Sequence, residues 1–430
     1  MKKELLHSLI YQVFVRDFTP EGTFNGVTSH LDEIQALGTD ILYLMPIHPI
    51  GVKNRKGSWG SPYAIEDYEA LDPHYGTEED FKSLIHETHR RGMKLIIDVV
   101  YNHTSCDSRL SKTHPEWFYH DKNGNFGNRA GVWSDVIDLD HSHPELEEYL
   151  SDLLLKRVQE GVDGFRFDVA SLIPPSFFSL AKRKCQTINP DVIFLGETVD
   201  SCFLNAVRSL GFPAYSNAEL FLSGLDMAYH YASWQWLREF LETNDEKCLA
   251  AYRSAFNVEA AMTPSDGIIV RAVENHDNRR IASYRQSLSF VKNLLAFSSF
   301  TRGPMFLYMG EEDRAEKLPS LFEKETVDWH HDKDYLAFVK RLIDLKKRPE
   351  NEMLLTSIAL PSSGETLLIE NTYSDHREYG FFNLNEKPVM MDVPSSLQGK
   401  TVIDLWNQKE TTLGKQILVD LPFMVSEKEK

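Results

Sequence analysis

Four stretches of the chain deliver acids to comparable places. Residues 94–100 carry Asp98 and are followed by Asn102 and His103. The run Gly-Phe-Arg-Phe-Asp (164–168) ends on Arg166 and Asp168. Residues 192–197 end on Glu197, and residues 267–277 run into His276 and Asp277. Read as a strand, 164–168 puts Arg166 and Asp168 on one face and Phe165 and Phe167 on the other, because side chains alternate with period two. One acid at a strand end is ordinarily a helix cap or a partner in a structural ion pair. Four at equivalent positions crowd like charge at one rim, which costs energy unless chemistry keeps them there. Asp168 and Glu197 end neighbouring strands, so their carboxyls lie close. A pair of carboxyls ~5–5.5 Å apart can act as nucleophile and proton donor in retaining cleavage of a glycosidic bond. Arg166, on the face of Asp168, keeps that carboxyl ionised. Glu197, among like charges and next to a bound sugar, suits the proton donor.

These residues need elements that bring them to one rim. Apolar β-rich runs alternate with helical patterns: strands at 9–15, 40–47, 94–100, 164–169, 192–197, 213–219, 267–277 and 304–310. Helices are expected over 30–38 with Gly38 as the stop, and over 77–92 with a Thr77/Asp80 near-capping box and Gly92 as the stop. Eight such repeats predict an α/β architecture, a parallel (β/α)8 TIM barrel. An open doubly wound sheet is the competitor, but no GxGxxG turn follows the first strand. In a barrel the strand C-termini form the reactive face. The alternation breaks at 103–142, a polar, aromatic, irregular stretch whose length marks it as functional. Beyond residue 350 short strands separated by Gly, Asn and Pro predict a small all-β domain. The expected organisation is therefore a barrel over 1–102 and 143–349, an insertion at 103–142 after strand 3, and a β domain over 350–430, with Ser426–Lys430 as a frayed tail.

The bulk composition narrows the partners. A formal net charge of -18 over 430 residues repels phosphate backbones and anionic lipid, so neither nucleic acid nor a membrane surface is expected. Cys106, Cys185, Cys202 and Cys248 are scattered and form no CxxC pair, which argues against a zinc site and suits a reducing compartment. The N-terminal stretch lacks the apolar run and small-residue cleavage site of a signal peptide, and no stretch approaches the ~20 apolar residues of a membrane span. A cytoplasmic enzyme is the expectation.

Asp-Val-Val-Tyr-Asn-His (98–103), Gly-Phe-Arg-Phe-Asp (164–168), Phe-Leu-Gly-Glu (194–197) and Val-Glu-Asn-His-Asp (273–277) occur in this order. Together they resemble the four signatures of glycoside hydrolase family 13, the α-amylase family, and the likeness runs from residue 8 to about 347. The resemblance implies Asp168 as nucleophile, Glu197 as general acid/base, and Asp277 as a holder of sugar hydroxyls. It implies His103 and His276 as hydrogen-bonding partners of the sugar, Tyr63 as its stacking platform, Arg166 as the residue orienting Asp168, and Asp98 as support for the rim. The insertion at 103–142 takes the place of the family's domain B and is short. The expected activity is hydrolysis of α-1,4 bonds in maltodextrin, starch or glycogen by double displacement, with no cofactor required.

Departures from the family pattern leave points open. Ala64 follows Tyr63 where an aspartate is common, and Ser171 and Leu172 replace a Lys-His pair after the nucleophile. Asn102 matches a family calcium ligand, and Asp135, Asp138 and Asp140 offer carboxylates, so a structural calcium ion is the one metal the resemblance allows. Residues 121–125, Asp-Lys-Asn-Gly-Asn, do not follow the EF-hand spacing. A transglycosylase or isomerase, or an α-1,6-glucosidase, remains an alternative on the same site. From another class, a non-catalytic sugar-binding protein is disfavoured because Asp168, Glu197 and Asp277 are all present. Trp59, Trp117, Phe118, Trp133, Trp234 and Trp236 are candidate sugar platforms, each weighed against a place in the core.

Overall fold

The computed structural model describes residues 3–131, 133–348, 353–359 and 364–428. The expected boundary at 349/350 lies outside the described residues. Ten strands precede it: β1 (Leu9–Val13), β2 (Ile41–Leu44), β3 (Lys94–Val99), β4 (His103–Ser105), β5 (Val136–Asp138), β6 (Gly164–Phe167), β7 (Ile193–Gly196), β8 (Met227–Tyr229), β9 (Ile268–Val270) and β10 (Met305–Tyr308). Eight of them make one all-parallel sheet in the order β10-β1-β2-β3-β6-β7-β8-β9. These strands are short, rich in Ile, Leu, Val and Phe, and buried on both faces, as a sheet wrapped by helices requires.

Alternation within each strand sorts the side chains. Ile10, Tyr43, Ile96, Leu195, Tyr229 and Phe306 share one cluster inside the barrel. Phe165 and Phe167 point outward and meet Phe194, Phe177 and Phe178 of the surrounding layer. The register places Asp98 of β3 opposite Arg166 of β6. That single pairing brings two of the charged strand-end residues side by side.

Local signals set the helix ends. Thr77 and Asp80 form a reciprocal capping box at the start of Glu78–Arg90, and Gly38 closes Leu31–Leu37 at φ 103°. Between β9 and β10, where no ladder is formed, Gly303 (φ 124°) comes so close to Ile269 that a Cβ would lie 2.2 Å from its carbonyl oxygen.

Three expectations change. Residues 213–219 do not form the sixth strand: Asn217–Ser223 is a helix, and the strand is β8. A Ser216/Glu219 capping box starts that helix, and the true strand is only three residues, Met-Ala-Tyr, too short to announce itself. Residues 103–142 carry local order: β4 and β5 form an antiparallel ribbon, and Arg109–Thr113 is helical. Residues 426–428 are not frayed, because they end a strand that pairs with its neighbour.

The C-terminal part contains β11 (Leu355–Ile358), β12 (Thr366–Thr372), β13 (His376–Asn383), β14 (Val389–Asp392), β15 (Thr401–Asp404), β16 (Glu410–Thr412), β17 (Gln416–Val419) and β18 (Phe423–Lys428). Six of these form a sheet in the order β11-β12-β13-β18-β15-β16, and β14 pairs with β17. The helix Leu288–Phe300 joins the two parts: Phe297 and Phe300 pack on Phe382, and Asn293 bonds both Asn383 N and Asp420 O. No helix among the described residues is long and apolar enough to cross a membrane.

Candidate active site

The C-terminal ends of β3, β6, β7 and β9 meet at one cavity of about 370 Å3, lined by Tyr63, His103, Asp168, Glu197 and Asp277 among others. Arg166, fully buried, is its hub. One nitrogen, Nη1, donates to Asp98 Oδ1 and Asp168 Oδ1, both at 3.0 Å. The other, Nη2, makes an ion pair with Glu197 Oε1 at 3.1 Å. One guanidinium thus gathers three carboxylates that would otherwise repel one another. Its own pKa is held high: burial alone would lower it, but Asp98 and Glu197 outweigh that.

Asp168 uses only one of its oxygens in this arrangement. Its Oδ2 is buried with no hydrogen-bond partner, and His103 Nε2 stands 3.8 Å from it. Burial first, and the charge of Glu197 second, push the Asp168 carboxyl well above the ordinary aspartate pKa, while Arg166 pulls the other way. Glu197 Oε2 accepts from the backbone N–H of Val169 at 2.9 Å. Val169 is a β-branched residue at φ 41°, a costly conformation that aims this N–H at Glu197.

A second layer supports the first. Asp98, fully buried, also accepts from Tyr43 Oη (2.6 Å) and Tyr63 Oη (3.0 Å). Tyr63 lies stacked on His276 with ring centroids 5.2 Å apart, and its Oη is 2.6 Å from His276 Nε2. Gln12 Nε2 donates to His276 Nδ1 at 2.9 Å, which assigns the imidazole N–H to Nε2. That nitrogen is 3.0 Å from Asp277 Oδ2. The Asp277 side chain is 45% exposed, against 8% for Asp168, so it faces the open cavity. Burial acts upward on Asp277, but His276 and then Arg166 hold it below the ordinary aspartate range.

All eight residues singled out in the sequence therefore fall in one connected network, with Asn102 attached through His103 at 3.2 Å. Gln12 and Tyr43 escaped sequence reading. Gln12 had a signal: it is a lone amide in the apolar strand Leu-Ile-Tyr-Gln-Val. The aromatic candidates divide. Trp133 lines the cavity and leans on His103, with ring centroids 5.6 Å apart. Trp117, Phe118 and Trp234 are buried, the last donating to Asn278. Trp59 packs on His74, and Trp236 on the main core. Phe203 and Phe322 line the cavity and were not foreseen.

The carboxylates offered for calcium point to different partners. Asp135 pairs with Lys56 at 2.7 Å, Asp138 with Arg129 at 3.1 Å, and Asp140 accepts from Ser142 N at 3.0 Å. Asp121 accepts from Asn123 N and Asn125 N in a tight turn. No group of three or more acidic, histidine or cysteine side chains that could hold a metal occurs among the described residues.

The model of the alpha amylase catalytic domain matches residues 10–116 and 109–347. The intracellular maltogenic amylase of Bacillus subtilis is 27% identical over 360 residues, covering 77% of this chain, and the chain spans 56% of that protein's length. Alpha-amylase 3 of Dictyoglomus thermophilum is 30% identical over 399 residues, 84% of this chain and 72% of that protein. The crystal structure of an alpha-amylase from Lactobacillus plantarum superposes with a TM-score of 0.90 at 36% identity, covering 99% of this chain and 100% of that one.

Proposed function

The chain belongs to the α-amylase family, glycoside hydrolase family 13, and from that membership and the site geometry we propose that it is a retaining glycosidase acting on α-1,4-linked glucans such as maltodextrin, starch or glycogen. The observation that carries this reading is the shared guanidinium of Arg166, which holds Asp168 beside Glu197 and leaves Asp168 Oδ2 unpartnered. In the first half-reaction Asp168 Oδ2 attacks the anomeric carbon as Glu197 gives its proton to the departing glycosidic oxygen. A covalent glycosyl ester on Asp168 results. In the second, Glu197 takes a proton from water, the water oxygen bonds to the anomeric carbon, and the ester C–O bond breaks. Both carboxyls end in the state in which they began.

Asp277, exposed and kept ionised beside His276, is placed to hold sugar hydroxyls that bind more tightly as the ring flattens. His103 and Tyr63 flank the same sugar. Arg166 and Asp98 act through Asp168. The cytoplasm is the compartment we propose, in keeping with four free thiols.

Product chromatography tests the reading. Maltoheptaose, soluble starch, pullulan and isomaltotriose would be incubated in parallel, with Glu197→Gln as the blank. Short maltooligosaccharides from the first two, with isomaltotriose intact, are expected. Glucose from isomaltotriose would move the assignment to an α-1,6-glucosidase, and products longer than maltoheptaose to a transglycosylase.

A further inference from the structure

We infer that the guanidinium of Arg129 is the fixed cation that braces the 103–142 insertion at its joint with Asn102 of the barrel, at the spot where the family resemblance would put calcium. The joint is built from three oxygen-bearing groups. Asn102 follows β3, and its carbonyl accepts from Leu139 N at 2.9 Å. Asp138, fully buried, stands opposite His103 in the β4–β5 ribbon. The third is the carbonyl of Leu139. A calcium ion there would need six to eight oxygens at roughly 2.3–2.6 Å.

Two of those three groups, Asp138 and the Leu139 carbonyl, are engaged by one arginine. Asp138 Oδ2 accepts from the Arg129 backbone N–H at 2.7 Å and from its Nε at 3.1 Å, and Arg129 Nη2 donates to the Leu139 carbonyl. Asn102 Nδ2, not its oxygen, faces Asp138, at 3.5 Å. Asn102 Oδ1 is buried without a partner, and that lone free oxygen is too little for a hard divalent ion. Asp135 and Asp140 are committed elsewhere. The residues present therefore do not fit calcium. They fit a planar cation whose fork satisfies a carboxylate and a carbonyl together. A buried carboxylate such as Asp138 needs a compensating charge, and Arg129, only 13% exposed, supplies it.

The joint has a consequence at the reaction site. Asp138 and Asn102 bracket His103, and His103 Nε2 faces the unpartnered oxygen of Asp168. Arg129 is thus a positioning residue, acting through Asp138 on the wall of the cavity.

The test uses the purified full chain. Melting temperature and kcat/KM on maltoheptaose would be measured for wild type, Arg129→Gln and Arg129→Lys, each after EDTA treatment and with added Ca2+. Wild type is expected to keep its Tm and its activity under EDTA and to gain nothing from Ca2+. Arg129→Gln is expected to lose Tm and about tenfold or more in kcat/KM, in the range for groups supporting a site from outside. Arg129→Lys, which restores charge without the fork, is expected to recover part of both. A wild-type Tm that falls under EDTA and returns with Ca2+ would overturn the inference, as would an Arg129→Gln enzyme identical to wild type. Tm is read without substrate, so this outcome is independent of the substrate assignment.

Discussion

Asp168 carries one tied and one free carboxylate oxygen, and its environment sets a pH dependence. In the proposed mechanism Asp168 must be ionised to attack, and burial together with Glu197 raises its pKa above the ordinary aspartate value. The acidic limb of kcat/KM, which reports the free enzyme, should therefore lie above pH 3.8, activity falling as pH drops through the raised value. Arg166 opposes that rise, so Arg166→Gln should move the limb of the residual activity to still higher pH; a limb that moves down would contradict this electrostatic account. Gln12 offers a second test. Gln12→Met removes the donor that fixes the His276 tautomer, and a hydrogen bond of about 1–1.5 kcal/mol corresponds to about a tenfold loss of kcat/KM. Unchanged kinetics would mean that His276 orients itself. Asp168, Glu197 and Asp277 were legible because chemistry-bearing acids sat at strand ends in a recurring order. Gln12 and Tyr43 were harder to see because each is one polar group in an apolar strand, and only the barrel's curvature brings them to the rim.

At the scale of elements, strands of four or more apolar residues with clear stops were readable, as were helices opened by a cap. The failures had separate causes. β8 has only three residues, and a capped helix precedes it, so local pattern pointed to the wrong segment. Residues 426–428 are polar and charged, and pairing with β13 rather than hydrophobicity makes them a strand. The seam between β9 and β10 was invisible, since it depends on Gly303 approaching Ile269 across the sheet. Gly303→Ala meets both a positive φ and a 2.2 Å contact, so a loss of about 1–3 kcal/mol or more in unfolding free energy is expected by denaturant titration. Stability equal to wild type would show that the seam can open at little cost.

For the whole molecule, the junction between barrel and β domain contains a buried lysine. Lys346 Nζ donates to Ser299 O and Thr301 O, and burial first, then Arg302 and Arg348, lower its pKa from 10.5 to about 7. A base whose pKa falls on folding binds fewer protons folded than unfolded between the two values. Its contribution to stability should therefore climb as pH rises from about 7 toward 10.5, and stay level below that window. Lys346→Met removes the titration, so the Tm difference between wild type and variant should shift in favour of wild type across the window. A difference that is flat with pH would mean that Lys346 keeps an ordinary pKa at this junction.

The central claim is double displacement by Asp168 and Glu197 on an α-1,4 bond. Time-resolved proton NMR of maltoheptaose cleavage tests it most directly, because the first-formed anomer records the number of displacements at the anomeric carbon. The account predicts that the α-anomer appears first and mutarotates to the equilibrium mixture. Initial release of the β-anomer would mean a single displacement by water, and Asp168 would not be the nucleophile.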